Sequence, residues 1–408
     1  MINRPRSNAS VLVAGGGIGG LAAALGLARK GCRVTVLEQA EKFGEIGAGI
    51  QIGPNAFHAM DYLGIGDVGR ARAVYVDAAI MMDGISGEQI FRVPLDDAFR
   101  KYCGNPYAVI HRADLHGAFL DACRAHDAIT LVNRERVLAY ENTATGVKVR
   151  TEAGNAYEAD AMIGADGVRS KVREQITGGG PADAIRVSGH VAYRAVLPIE
   201  QMPEDLRWNA PTLWAGPKCH MVHYPLQGWR TFNLVATFVT DLENVGSNEP
   251  GTREEVLSRF AHIVPKARKL LEIPTEWRRW VLGDRDPIAN WTDGRVALLG
   301  DAAHPTYQYF AQGACMAMED AVCLADKVEK TGDFAAAFKA YQDERIPRAY
   351  RVVLSSRELG RVYHADGVER LVRNAWLKGK TPEQFYSSMF WLYGGNGLTG
   401  AGQQRAAA

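Results

Sequence analysis

The chain has 408 residues, of which 47% are hydrophobic and 23% charged, and carries a formal net charge of only +1. That length exceeds what one core usually serves and predicts two closely packed domains. The balanced charge, with basic residues such as Arg4, Arg6, Arg112 and Arg169 scattered instead of blocked, argues against a nucleic-acid-binding surface. Six cysteines, Cys32, Cys103, Cys123, Cys219, Cys315 and Cys323, form no C-x-x-C pair, which argues against a zinc site or disulfide scaffold and for reduced, buried thiols. The polar start, Met1 to Ser10, and the lack of any run of about 18 apolar residues predict a cytoplasmic protein with no membrane span.

In chain order, Val11–Ala14 reads as a buried strand, a glycine turn follows, Leu21–Lys30 reads as a helix and Arg33–Leu37 as a second strand. From Ser188 to Thr240 the texture changes to short alternating strands, His190–Leu197, Pro211–Ala215, Cys219–Tyr224 and Thr231–Val239. Gly216-Pro217-Lys218 predicts a tight hairpin turn between two of them. Arg295–Leu299 is a further buried strand, followed by a helix from Gly313 towards Lys330 and another from Phe334 to Val362. The segment Gly367–Tyr393 carries Leu371, Trp376, Phe385, Met389, Phe390 and Trp391, and is expected to pack on the body or on another subunit, so a homodimer stays open. The tail Leu398–Ala408 is expected to be mobile.

Gly15-Gly16-Gly17-Ile18-Gly19-Gly20 fits G-x-G-x-x-G between a strand and a helix, with Glu38 closing the next strand. Gly15 permits the turn, Gly17 lets a pyrophosphate approach the backbone, Gly20 lets helix and strand pack, and Glu38 suits ribose hydroxyls. The helix N-terminus, opening at Ile18, favours the diphosphate charge. This motif alone does not separate FAD from NAD.

Two later segments carry the distinction, Gly164-Ala165-Asp166-Gly167-Val168-Arg169-Ser170 and Gly300-Asp301-Ala302-Ala303-His304-Pro305, the latter followed by Gln312-Gly313 and Glu319-Asp320. In this order the motifs resemble the single-component, FAD-dependent aromatic hydroxylases, the para-hydroxybenzoate hydroxylase-like family, over nearly the whole chain. The resemblance implies an α/β fold: a Rossmann-type FAD-binding domain, an interleaved antiparallel-sheet substrate domain and a helical C-terminal region. The expected division assigns 1–75, 106–185 and 286–330 to the first, 76–105 and 186–285 to the second, and 331–408 to the third. It also implies Asp166, Arg169 and Arg112 near FAD; the alternative for Asp166 is an Asx turn with Gly167, and for Asp114 a helix N-cap. Asp301 is placed to accept from ribityl hydroxyls, and the helix opening at Gly313 and Ala314 to point free N–H groups at the flavin pyrimidine. No flavinylation site is legible, so FAD is expected to be non-covalent. No second strand-linked glycine motif occurs, which predicts NADH or NADPH as a co-substrate without its own domain.

In the strand Cys219–Pro225, period-two geometry sends His220, Val222 and Tyr224 to one face and Met221 and His223 to the other. His220, Tyr224 and Gln308 together resemble the substrate pocket of the 3-hydroxybenzoate 6-hydroxylases, with salicylate and 6-hydroxynicotinate hydroxylases as alternatives in the same family. A flavin-binding protein without oxygenase activity is the reading from a different class. The resemblance implies reduction of the flavin by NAD(P)H, O2 addition at flavin C4a and oxygen transfer to a small phenolic carboxylate, para to its hydroxyl, to give gentisate. An imidazole titrates in the range useful for activating a phenol, so His220 is the expected base and Tyr224 and Gln308 the expected orienting groups. The alternative for His220 is a hydrogen-bonded structural residue. No His/carboxylate cluster suggests a metal.

Overall fold

The strand Ser10–Ala14 sits at the centre of a six-stranded sheet in which Ala161–Gly164 and Arg33–Leu37 flank it in parallel. Val296–Leu298 and Ile129–Val132 extend the parallel sheet on either side, and Thr292–Asp293 adds one antiparallel edge. Val11, Val13, Val34, Val36, Met162 and Ile163 are all buried, as parallel strands covered on both faces require. This is a computed structural model, and the residues it describes are 8–44, 47–243, 246 and 248–394. Arg4, Arg6 and the tail Leu398–Ala408 lie outside them.

The second large sheet has eight strands in the order Glu249–Gly251, Trp277–Asp284, Arg186–Pro198, Thr231–Val239, Cys219–Leu226, Thr212–Gly216, Ala78–Asp83 and Gln89–Pro94. All its pairings are antiparallel except that between Thr212–Gly216 and Ala78–Asp83. The hairpin expected at Gly216-Pro217-Lys218 forms, with Gly216 opposite Cys219 and Lys218 at φ 58°. One face of this sheet covers a separate core of Trp214, Met221, Phe232, Leu234, Phe238, Phe260 and Leu270. The opposite face looks towards the nucleotide-binding side.

The helix Gly313–Thr331 packs against the helices Ile18–Ala28 and Phe334–Tyr363. A buried charge network ties it in place: Arg345 donates through Nε to Asp320 and through Nη1 to Glu319, each at 2.7 Å, and His304 Nε2 meets Asp320 at 2.6 Å. Burial alone would raise the Glu319 carboxyl, but Arg348 and Arg345 outweigh it and hold it at about 2. His304 is therefore a structural residue of the loop after Val296–Leu298. Beyond this, Gly367–Lys378 and Pro382–Tyr393 are helical. The second buries Tyr386, Leu392 and Tyr393 in the body, while the first leaves Val368, Leu371, Val372 and Trp376 exposed.

Candidate active site

The glycine turn is shaped by contacts that only glycine satisfies. At Gly15, φ is +104° and a Cβ would stand 2.3 Å from the Ala165 carbonyl oxygen; at Gly20 a Cβ would stand 1.9 Å from the Gly15 carbonyl oxygen. The turn thus packs directly on the Gly164–Ser170 segment. Gly17 is the N-cap of the helix Ile18–Ala28, which has no side-chain cap and no acid in its first turn. Its leading N–H groups are free for an anion, the arrangement a diphosphate needs. Glu38, at the end of Arg33–Leu37, accepts from Gly16 N at 2.6 Å and from Ala40 N at 2.8 Å, which holds its carboxylate at the rim of the turn.

Asp166 accepts from Ser170 Oγ at 2.5 Å and from Lys171 N at 2.7 Å, so it anchors the start of the helix Lys171–Thr177 and is not confined to an Asx turn with Gly167. Burial raises its carboxyl above the ordinary range, partly offset by the Ser170 hydroxyl. Arg112 opens the helix Arg112–Arg124, whose N-cap is His111; Asp114 lies in its first turn and does not cap it. Asp301 is exposed just after the buried Val296–Leu298 strand, and its Oδ1 lies 4.0 Å from where a Cβ on Gly313 would stand. The helix beginning at Gly313 and Ala314 also lacks a side-chain cap and a first-turn acid. Two uncapped helix starts, a carboxylate at the end of the second strand and a second carboxylate beside Gly313 fit the two ends of an FAD molecule.

The pocket side is a grid set by strand register. His220 stands opposite Thr237 and Thr237 opposite Ala192; Val222 opposite Val235 and Val235 opposite Arg194; Tyr224 opposite Asn233 and Asn233 opposite Val196. His220 and Tyr224 are four residues apart on one strand, which separates their Cα atoms by about 13 Å. Between them Val222 and Val235 make an apolar floor. His223, on the other face, is fully buried and accepts from Trp214 Nε1 at 3.2 Å, a structural role.

Gln308 arrives over this face on the loop Gln308–Phe310. Its Oε1 accepts from Arg194 Nη2 at 2.6 Å and its Nε2 donates to Thr237 Oγ1 at 2.9 Å. Arg194 was not singled out in the sequence, yet it supplies the main charge here. It stacks over Trp280 at 5.4 Å, and its Nε has no partner. Burial lowers its pKa, Tyr224 partly restores it and Arg112 lowers it again, with no carboxylate among the charges acting on it. Among the described residues this half-buried guanidinium meets no acid, which suits it to hold an anion.

The imidazole corner also holds residues that sequence reasoning missed. His220 Nδ1 is 2.7 Å from His364 Nε2, His364 Nδ1 is 3.2 Å from His190 Nε2, and His190 Nδ1 is 2.7 Å from the Tyr309 hydroxyl. Tyr309 and Tyr363 pack edge-on against His220. Burial, reinforced by His190, pushes His220 down to about 3; burial lowers His190, and burial with its two histidine neighbours lowers His364. His220 is thus neutral near pH 7, with Nε2 as the nitrogen left for a ligand. His190 opens a strand already legible as one, but His364 lies beyond a 30-residue helix, and no spacing announces it.

A parallel βαβ glycine turn, two uncapped helix starts and a sheet face that carries an imidazole and a guanidinium define a flavin-dinucleotide enzyme. A family model described as FAD binding domain matches residues 8–356, and the chain belongs to this family, within its FAD-dependent aromatic hydroxylases. It is 54% identical over 387 residues to the 3-hydroxybenzoate 6-hydroxylase of Polaromonas naphthalenivorans (strain CJ2), covering 95% of this chain and 96% of that one. To the 3-hydroxybenzoate 6-hydroxylase of Klebsiella oxytoca it is 51% identical over 384 residues, 94% and 96% of the two chains. Among solved structures, Klebsiella pneumoniae HpxO complexed with FAD and uric acid superposes with a TM-score of 0.84 at 28% identity, over 93% of this chain and 95% of that one. Among the described residues no helix is long and apolar enough to cross a membrane.

Proposed function

We propose that this protein hydroxylates 3-hydroxybenzoate at the carbon para to its hydroxyl, giving gentisate, with NADH or NADPH as reductant and O2 as oxygen source. The observation that carries the reading is the pocket grid: an imidazole at one corner, a guanidinium without an acid at another, and an apolar floor of Val222 and Val235 between them. Kinship at about half identity with 3-hydroxybenzoate 6-hydroxylases over nearly the full chain supports the choice of substrate.

Gly15, Gly17, Ile18 and Gly20, with Glu38, Arg112, Asp166 and Asp301 and the helix start at Gly313 and Ala314, would hold FAD non-covalently, and the flavin would supply the oxygen activation. The chain's own residues choose the ring position. Arg194, fixed by Gln308, takes the substrate carboxylate, and Tyr224 closes the same end of the pocket. His220 Nε2 accepts the phenolic proton, which raises electron density ortho and para to the oxygen. Three ring carbons are then similarly activated, so orientation decides, and two separated anchors present only one carbon to the flavin. The eight-stranded sheet, with its segments from 76–105 and 186–285, serves as the substrate domain, and the six-stranded sheet as the FAD domain. The exposed apolar side of Gly367–Lys378 supports a homodimer, and six free, buried thiols support a cytoplasmic setting.

Reaction under isotopically labelled O2, with mass and proton spectra of the product, tests the proposal. Labelled gentisate from 3-hydroxybenzoate is the expected result. Labelled 2,3- or 3,4-dihydroxybenzoate would refute the orientation, and turnover only of salicylate or 6-hydroxynicotinate would refute the substrate.

A further inference from the structure

The three histidines at the base corner are joined head to tail. In each link the Nδ1 of one ring meets the Nε2 of the next, from His220 to His364 and from His364 to His190, and the last Nδ1 meets the Tyr309 oxygen. The rings come from three separate places: His220 from Cys219–Leu226, His364 from the end of the Phe334–Tyr363 helix, and His190 from Arg186–Pro198. His220 is buried; His190 is half-buried and reaches solvent. Among the described residues, the aromatic rings in contact with the three imidazoles are Tyr309, Tyr363 and one another, and no carboxylate is hydrogen-bonded to any of them. Lys218, whose backbone N–H donates to the His364 carbonyl, has an exposed side chain.

We propose that His220, His364 and His190 form a relay that carries the substrate's phenolic proton from the pocket to solvent. The inference rests on the reading of His220 as the base. A chain of this kind has two polarities. With a proton on each Nδ1, every link donates outward and His220 Nε2 presents a lone pair to the phenol. The phenolic O–H bond then breaks, its proton goes to His220 Nε2, the His220 Nδ1 proton passes to His364 Nε2, and the His364 Nδ1 proton to His190 Nε2. The His190 Nδ1 proton, which the Tyr309 oxygen accepts at rest, leaves to solvent as that bond opens. One proton is released per substrate, no electrons move, and His220 Nε2–H is left donating to the phenolate. Because burial makes a lasting charge costly at His220 and His364, these rings suit passage better than storage.

The test uses the FAD-loaded enzyme mixed with 3-hydroxy-4-nitrobenzoate, whose phenolate is coloured, at a pH where the free phenol is protonated, with a pH-indicator dye in weak buffer. Wild type is expected to release one proton in step with phenolate formation. His364→Gln keeps hydrogen-bonding atoms but cannot pass a proton, and should slow both signals about tenfold or more while FAD content and ligand affinity hold. His190→Ala, at the solvent end, should be slowed likewise and restored by added imidazole. Release at the wild-type rate in His364→Gln would overturn the relay, as would an imidazole-insensitive His190→Ala should the other variant fail to fold. If wild type binds the ligand without ionising it, the reading of His220 as the base falls instead.

Discussion

Replacing Arg194 by Met separates binding from stability. The guanidinium is half-buried and, among the described residues, makes one side-chain hydrogen bond, to Gln308, leaves Nε unpaired and meets no counter-charge. Losing the Gln308 bond costs about 1 kcal/mol, and relieving the buried charge returns a similar amount, so the melting temperature should hold or rise. Binding should behave oppositely. A charge-assisted contact to a carboxylate is worth about 1.5–3 kcal/mol, which is roughly 10- to 150-fold in affinity. Titration of the flavin absorbance with 3-hydroxybenzoate measures this, and a phenol of similar size lacking the carboxylate serves as the control. The loss should appear only with the carboxylate ligand, because only that ligand had a contact to lose. Equal loss for both ligands, or unchanged affinity with a lowered melting temperature, would remove Arg194 from the carboxylate site and make it a packing residue.

His220→Asn should slow ring hydroxylation far more than flavin reduction by NADH, by about 10²-fold or more, and divert reducing equivalents to hydrogen peroxide; stopped-flow traces with equal losses in both halves would refute this. Asp301→Ala should weaken FAD retention in dialysis without lowering the apoprotein's helix content, and acid precipitation of wild type should leave all flavin in the supernatant. Stability should fall with acid. His220 and His223 are held at about 3 by burial against an ordinary 6.5, so above 6.5 neither form of the chain takes up the proton, whereas below it only the unfolded chain does. Each group then costs about 1.4 kcal/mol per pH unit until pH 3. His223→Gln, which keeps an acceptor for Trp214, should flatten that slope in urea melts at successive pH values; an unchanged slope would refute the assignment.

The parts of the fold that were legible in the sequence are those in which one short stretch carries the whole physical requirement. Gly15 to Gly20 must be glycine-rich because the turn meets its own carbonyl and that of Ala165, and Thr231–Val239 sends Phe232, Leu234, Ala236 and Phe238 to one core at period two. Period two also placed His220 and Tyr224 together and His223 apart, since parity needs no knowledge of neighbours. What parity cannot supply is register between strands. Arg194 lies on a strand that was readable, but only the pairing of Val235 with both Arg194 and Val222 brings its guanidinium over the same floor as His220. His364 is harder still. It is 144 residues from His220, and their 2.7 Å contact exists because the buried Arg345, Glu319 and Asp320 network fixes the long helix that ends beside the sheet. A charge pattern on that helix is visible in the sequence, but its consequence at the far end depends on packing across the whole molecule. The residues that touch substrate were therefore partly readable one strand at a time, whereas those that set its charge and carry its proton arise where separate strands and the long helix meet.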